Sequence, residues 1–232
     1  MIHQLIFAHP KPGMSEKSFQ DYWVNVHAVE YASKISQIKR YLIDTRIPFG
    51  PEPEDPRFSG VAEIWLKNEE EQVASLSTPE FLEGARLDEP KWAAFWRTVV
   101  LDTDTHVLLE GPPPSRDSSM IKLIAMMKRK EGVPLETFRK YGLNVHAPLD
   151  LKLPGLRRFH LCTVRDGWYA IGEPLLDAVA MLWFDDVEAL SKALASPENA
   201  VAGADLSNFI ELKYVHTLVV QEHWIIGPEP RP

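Results

Sequence analysis

Apolar residues recur at Phe19, Tyr22, Trp23 and Val26, and again at Phe138, Tyr141, Val145 and Leu149. Spacings of three and four residues mark one face of a helix. Ser15 precedes the first run as an N-cap, and Pro134 suits the first turn of the second. The two runs predict long helices over 15–35 and 134–151. In each, a histidine (His27 or His146) falls on the shoulder of the apolar face. At 100° per residue that is roughly 80–90° from its centre. A shoulder position suits a side chain that lines a cavity beside the helix.

Strands are predicted over 2–8, 38–46, 61–66 and 101–109 in the first half, and over 120–127, 156–164 and 179–183 in the second. Further helices are expected over 69–76 and 79–98, the latter from Trp92, Phe95 and Trp96 at helical spacing. The segment from Pro48 to Pro56, rich in proline, reads as a loop or lid.

The second half answers the first. Lys11, Gly13, Phe19, Tyr22, Val26, His27 and Ala28 recur as Lys130, Gly132, Phe138, Tyr141, Val145, His146 and Ala147, each 119 positions on. Ile38-Lys39-Arg40-Tyr41 and Val61-Ala62-Glu63-Ile64-Trp65 recur at 118 as Leu156-Arg157-Arg158-Phe159 and Val179-Ala180-Met181-Leu182-Trp183. His106 and His223 are 117 apart. So slow a drift is the mark of internal duplication. Each copy is then β-α-β-β-α-β, the ferredoxin-like unit, whose helices cover one face of an antiparallel sheet. Yet the third strand is apolar on both faces, Val61 and Trp65 on one and Ala62, Ile64 and Leu66 on the other. The face without helices needs a cover, and the other copy supplies it. The expected fold is α+β: two ferredoxin-like repeats packed sheet to sheet as an intrachain α+β barrel pseudo-dimer. The first repeat is assigned to 1–111, a Pro-rich linker to 112–119 and the second repeat to 120–232.

Composition narrows the function. The 232 residues are 45% hydrophobic and 25% charged, with a net charge of −8. An acidic chain without a basic block lacks the clustered Lys and Arg that nucleic acid requires. The single cysteine, Cys162, excludes an intramolecular disulfide and reads as a small buried hydrophobe. No apolar run approaches the roughly 20 residues that span a bilayer, and no signal peptide is evident, so the expected compartment is the cytoplasm. His-x-x-x-His, Cys-rich, Walker, Gly-x-Gly-x-x-Gly and Gly-x-Ser-x-Gly motifs are missing, so no metal and no cofactor are expected. Only His3, His106 and Glu63 are candidates to meet as ligands in space.

A lysine, a turn with glycine, a helix ending in His-Ala, a Leu-Arg-Arg-Phe strand, a Val-Ala-Glu strand and then Ser/Thr-Pro-Glu together resemble the EthD-like group of the dimeric α+β barrel superfamily. The resemblance spans nearly the whole chain as two tandem copies. It implies a small-molecule protein related to cofactor-free cyclases, muconolactone-type isomerases, polyketide decarboxylases and anthrone-type oxygenases. It carries over only His27 and His146. It also implies that the fused copy takes the place of a partner subunit, leaving outer surfaces for any homodimer.

The copies differ where chemistry would reside. Trp23, Tyr41 and Glu63 of the first stand opposite Gly142, Phe159 and Met181 of the second. The candidate pocket is therefore placed in the first repeat, between long helix and sheet. His27 is the expected acid–base group, Glu63 its partner and Tyr41 the group that steadies a developing oxyanion. Trp23 and Trp65 are expected to contact substrate, and His146 to be a weaker site or a relic. Each has a plain alternative: His27 as a packing histidine, Glu63 as a structural ion-pair partner, and the aromatics as core. The expected activity is a cofactor-independent lyase or isomerase on a small apolar, aromatic, lactone or polyketide-like molecule. The alternatives are a cofactor-free monooxygenase and a non-catalytic ligand-binding barrel.

Overall fold

In a computed structural model, whose described residues are 1–51 and 55–232, β1 runs over Ile2–Ala8, β2 over Ile38–Arg46, β3 over Gly60–Leu66 and β4 over Val99–Leu109. The copy supplies β5 (Ile121–Met127), β6 (Arg158–Val164), β7 (Ala178–Phe184) and β8 (His216–Ile226). The pleat that buries alternate residues on two faces is what the apolar runs dictate. The strands close into one antiparallel barrel in the order β1-β3-β2-β8-β5-β7-β6-β4. The two-repeat, ferredoxin-like α+β barrel expected from the sequence is the fold observed. The expected loop over Pro48–Pro56 lies partly outside the described residues, at 52–54.

Two compact units result, one of Met1–Thr103 with Val220–Pro232, the other of Asp104–Val219. In the first, β3 lies between β1 and β2, and the C-terminal part of β8 extends the sheet beyond β2. Cross-strand register separates the faces. Ile6, Ala62 and Ile43 align across three strands on one face, as do Leu5, Glu63 and Leu42 on the other. The first face carries the core: Ala62, Ile64, Leu66, Tyr41 and Ile43 pack with Phe19, Trp23 and Trp92 of the helical layer. In the second unit, β7 lies between β5 and β6 in the same way.

Ser15 caps the first long helix, its hydroxyl accepting from the Ser18 amide. That helix is α-helical over Glu16–Tyr22 and widens to π geometry over Trp23–Tyr31. Its counterpart does the same, α over Leu135–Tyr141 and π over Gly142–His146. The widening falls on the His-Ala segment both times, and such π-bulges are frequent at functional sites.

The helix expected over 79–98 is corrected to a broken path, with π geometry over Glu80–Ala85, an α turn over Arg86–Asp88 and 3₁₀ turns over Glu89–Lys91 and Phe95–Arg97. Pro90 has no amide hydrogen to continue a helix. Past it, the backbone bonds to the end of β1 instead: the Ala94 amide donates to the His9 carbonyl, and the Lys11 amide to the Trp92 carbonyl. This crossing turns Trp92 inward, 3% exposed, over the long helix. The Pro10–Ala93 bridge recurs as Arg129–Ile210, so Phe209 is the structural counterpart of Trp92.

Candidate functional site

His27 sits in the helical layer, buried, with its Nδ1 2.9 Å from Asp88 Oδ2. Tyr22 donates to the other Asp88 oxygen, which Lys91 Nζ also reaches at 3.0 Å. The Trp92 ring lies 4.7 Å from the imidazole, centre to centre. Tyr41 is on the same side of the sheet and packs in the same cluster as Trp23. Burial raises the Tyr41 phenol well above its usual range. Trp23 fills the space among these groups, its ring 5.3 Å from that of Phe19 and 5.0 Å from that of Trp92.

Glu63 and Trp65 are elsewhere. They project from the opposite face of β3, where Glu63 Oε2 lies 2.7 Å from His3 Nε2. Trp65 stacks on His3, centroids 4.4 Å apart and planes 7° from parallel, and Trp224 stacks on Trp65. The sheet thus separates His27, Trp23 and Tyr41 from Glu63 and Trp65. Strand alternation is the reason: Glu63 is one residue out of phase with Ala62 and Ile64, which face the helices. Of the three residues considered as metal ligands, His3 and Glu63 meet, while His106 pairs with Thr163 at 3.2 Å. Thr45 and His223 repeat that last pairing at 2.8 Å, a duplicated structural contact. Carboxylate oxygens of Asp44, Glu63 and Glu222 lie within 4.8 Å of one another, spacing that could hold a cation. Cys162 is fully buried, as a small hydrophobe would be.

In the second repeat there is open space between the sheet and its helices. A cavity of about 180 Å³ lies between β5–β7 and the helices over them, walled by Phe138, Phe159, Leu161, Ala178, Ala180 and Phe209. Each of these has a first-repeat counterpart that touches Trp23 or packs in the same cluster: Phe19, Tyr41, Ile43, Gly60, Ala62 and Trp92. Only Trp23 is missing, because its counterpart is Gly142. A Cβ built on Gly142 would stand 3.6 Å from Leu161 and 3.7 Å from Phe209, at the mouth of the vacated volume. The pocket expected in the first repeat is therefore plugged by Trp23, and the duplicate copy holds the cavity. In the first repeat the plug is a core side chain, so Trp23→Ala should cost about 3–5 kcal/mol, read by denaturant unfolding. A cost below about 1 kcal/mol would show that Trp23 is not packed as described.

His146, Asp150, Arg139, Thr163 and Asn199 bring polar atoms to this apolar cavity. His146 Nδ1 is 3.0 Å from Asp205 Oδ2, and Nε2 is 3.4 Å from Asp150 Oδ2. Tyr141 donates to Asp205 Oδ1 at 2.7 Å, and Asn208 donates to the same oxygen. The Phe209 ring packs against His146 with centroids 5.0 Å apart. The Tyr–Asp–His arrangement is that of Tyr22, Asp88 and His27, with Asp150 added. Asp88 and Asp205, 117 apart, follow the same drifting offset and were readable from the repeat. Asp150 is one helical turn from His146, but nothing local marks it. Arg139 and Phe209 carried no signal until the fold placed them.

The two histidines titrate in opposite directions. Burial works against the His146 cation, but the Asp150 and Asp205 carboxylates outweigh it and raise its pKa above 6.5. Burial dominates at His27, beyond what Asp88 restores, and lowers its pKa below 6.5. His146 therefore contributes stability that is present below pH 6.5 and lost as pH rises through its raised folded pKa. His27, held neutral, has the reverse sign: its contribution is present above pH 6.5 and lost as acidification charges the unfolded form first. Imidazole chemical shifts followed against pH should place the His146 midpoint above that of His27. The reverse order would refute the assigned environments.

Among the described residues, no helix is long and apolar enough to cross a membrane. Over nearly its full length the chain is similar in fold to an anthrone oxidase-like protein (TM-score 0.67, 7% identity, covering 96% of this chain and 92% of that one). It is likewise similar to a candidate monooxygenase from Fusobacterium nucleatum subsp. nucleatum (TM-score 0.64, 7% identity, 99% and 95%). A single-repeat ethyl tert-butyl ether D (EthD) family protein from Bacillus halodurans is 28% identical over 44% of this chain and 97% of its own, with a TM-score of 0.38. No curated protein matches the chain. The EthD domain matches residues 11–95 and again 130–213, around both His-Ala segments, and so the chain belongs to the EthD family as a tandem pair of its domains.

Proposed function

We propose that the second-repeat cavity is the working site, and that it transfers protons on a small, largely apolar ring compound without calling on a cofactor. One observation supports this above all others: an apolar cavity of about 180 Å³ onto which His146 and Asp150 converge. An apolar cavity of roughly 150 Å³ suffices to take up benzene. His146, whose pKa the two carboxylates raise above the ordinary imidazole value, is the acid. Asp150, also on the cavity wall, is the base. With a ring enone, Asp150 takes a proton from the carbon next to the carbonyl while His146 gives one to the oxygen. The dienol then loses its O–H proton to His146 and accepts one from Asp150 at the far carbon of the conjugated system. One C–H bond breaks and one forms, the double bond moves, and no electrons leave the pair of molecules. His27 is assigned a structural role, since Trp23 occupies the space before it. Any homodimer is assigned to the outer surfaces, because the barrel closes within one chain.

The test is the conversion of cyclohex-3-enone to cyclohex-2-enone in D₂O, followed by proton NMR. Conversion above background with deuterium at the ring's γ-carbon is expected. Because the acid is His146, the rate should fall on the alkaline side, as pH rises through a pKa above 6.5. A rate that climbs steadily with pH would contradict an imidazolium acid. The second reading is a cofactor-free oxygenase, in which the carbanion formed by the same proton abstraction is oxidised and O₂ is reduced. The aromatic walls favour it, and strict dependence of turnover on O₂ would establish it.

A further inference from the structure

Arg139 stands where the first repeat has Gln20, 119 positions earlier. Both side chains hold a carbonyl at the end of a strand. Gln20 Nε2 donates to the Arg46 and Ser59 carbonyls, each at 3.0 Å. Arg139 Nη2 donates to the carbonyl of Val164, the counterpart of Arg46, and Nη1 donates to Asp166 Oδ1 at 2.7 Å. The glutamine thus places both of its N–H bonds within the fold. The arginine has five, and its Nε is buried without a hydrogen-bond partner among the described residues. Holding the strand carbonyl is the structural duty of this position, and the Nε–H is surplus to it. A buried donor left unpaired is costly. Arg139 borders the cavity, so a ligand there can supply the acceptor.

We propose that the ligand is a ring carboxylate whose carboxylate accepts from Arg139 Nε, an inference that rests on the second-repeat cavity being the working site. Arg139, Gly142, His146 and Asp150 follow one another at spacings of three and four along the long helix, and all four border the cavity. Arg139 and His146 are two turns apart, about 10 Å along the helix axis. Between them lies Gly142, which has no side chain. A six-membered ring laid across Gly142 carries its two para substituents toward the two ends, the carboxylate toward Arg139 and the reacting carbonyl toward His146 and Asp150. Charge favours that direction. The guanidinium is permanently cationic, and its Asp166 partner has a side chain 83% exposed, where water screens it. At the other end, Asp150 and Asp205 repel a carboxylate. Two further polar side chains on the wall are engaged within the protein: Thr163 Oγ1 pairs with His106 at 3.2 Å, and Asn199 Nδ2 donates to the Leu194 carbonyl at 2.8 Å.

Calorimetric titration of the full chain with benzoate and with nitrobenzene tests this. The two have nearly the same outline, but the nitro group is uncharged and a weak acceptor. Benzoate should bind about tenfold or more tightly than nitrobenzene. Arg139→Gln, which keeps a donor for the Val164 carbonyl as Gln20 does for Arg46, should bring benzoate down to the affinity of nitrobenzene and leave nitrobenzene where it was. Equal affinities in the unmodified protein, failure of benzoate to bind, or a ratio unmoved by Arg139→Gln would each overturn the proposal. Should that variant fail to fold, the Arg139 Nε–H proton resonance of the unmodified protein decides. It should move on adding benzoate and not on adding nitrobenzene, and a resonance that benzoate leaves in place would overturn the proposal. Benzoate binding through Arg139 without isomerisation of cyclohex-3-enone would sink the proton-transfer reading and leave the ligand class standing. Isomerisation by a protein with no preference for benzoate would do the opposite.

Discussion

Gly142→Trp combined with Ala178→Gly should abolish turnover and ring binding while leaving the protein at least as stable as before. The pair rebuilds in the second repeat what the first already contains. Gly142 has helical dihedrals, φ −54° and ψ −48°, so a side chain adds no backbone strain. Its Cβ meets only ordinary van der Waals neighbours. Removing a glycine from a helix gains about 1 kcal/mol, and filling the cavity adds to that. Ala178→Gly clears the methyl that would meet the indole. The measurements are the enone assay and a denaturation midpoint. A closed cavity with unchanged turnover would place the chemistry outside the second repeat.

His146→Gln should lower kcat by roughly 10²–10⁴, with the folded state retained. His27→Gln should leave turnover essentially unchanged and cost about 1–3 kcal/mol of stability, because the buried Asp88 loses one of its partners. The difference follows from the plug. The two imidazoles have the same tyrosine and aspartate neighbours, but His146 borders the cavity, whereas Trp23 fills the corresponding space in the first repeat. Glu63→Gln should also spare turnover, since its side chain is on the far face of the sheet against His3. Equal kcat losses from His27→Gln and His146→Gln would mean that both repeats work.

The fold was legible because duplication leaves a record that packing does not erase. The drift from 119 to 117 marks the repeat, its strands and the His-Ala helices in the sequence itself. Alternation along β3 places Glu63 and Trp65 opposite Ala62 and Ile64, so Glu63 and His27, expected from the sequence to be partners, lie on opposite sides of the sheet. The location of the pocket was not legible. Aromatic residues suggest a ring-binding site and a tightly filled core equally well, and Trp23 proved to be the filling. A glycine reads as lost function in a sequence, whereas Gly142 leaves open the volume that Trp23 fills in the first repeat. The helix expected over 79–98 failed at Pro90, where long-range bonds to β1 outcompeted local periodicity. That failure is also what places Trp92, and by repetition Phe209, over the histidines.

The central claim is that ligand enters the second repeat. Intermolecular NOEs between bound benzoate and the alanine methyl groups test it most directly, because Ala178 and Ala180 wall the cavity while Ala62 belongs to the filled copy. The account predicts contacts from the ring to Ala178 and Ala180 and none to Ala62. Contacts to Ala62, or a bound ring that touches neither Ala178 nor Ala180, would contradict it.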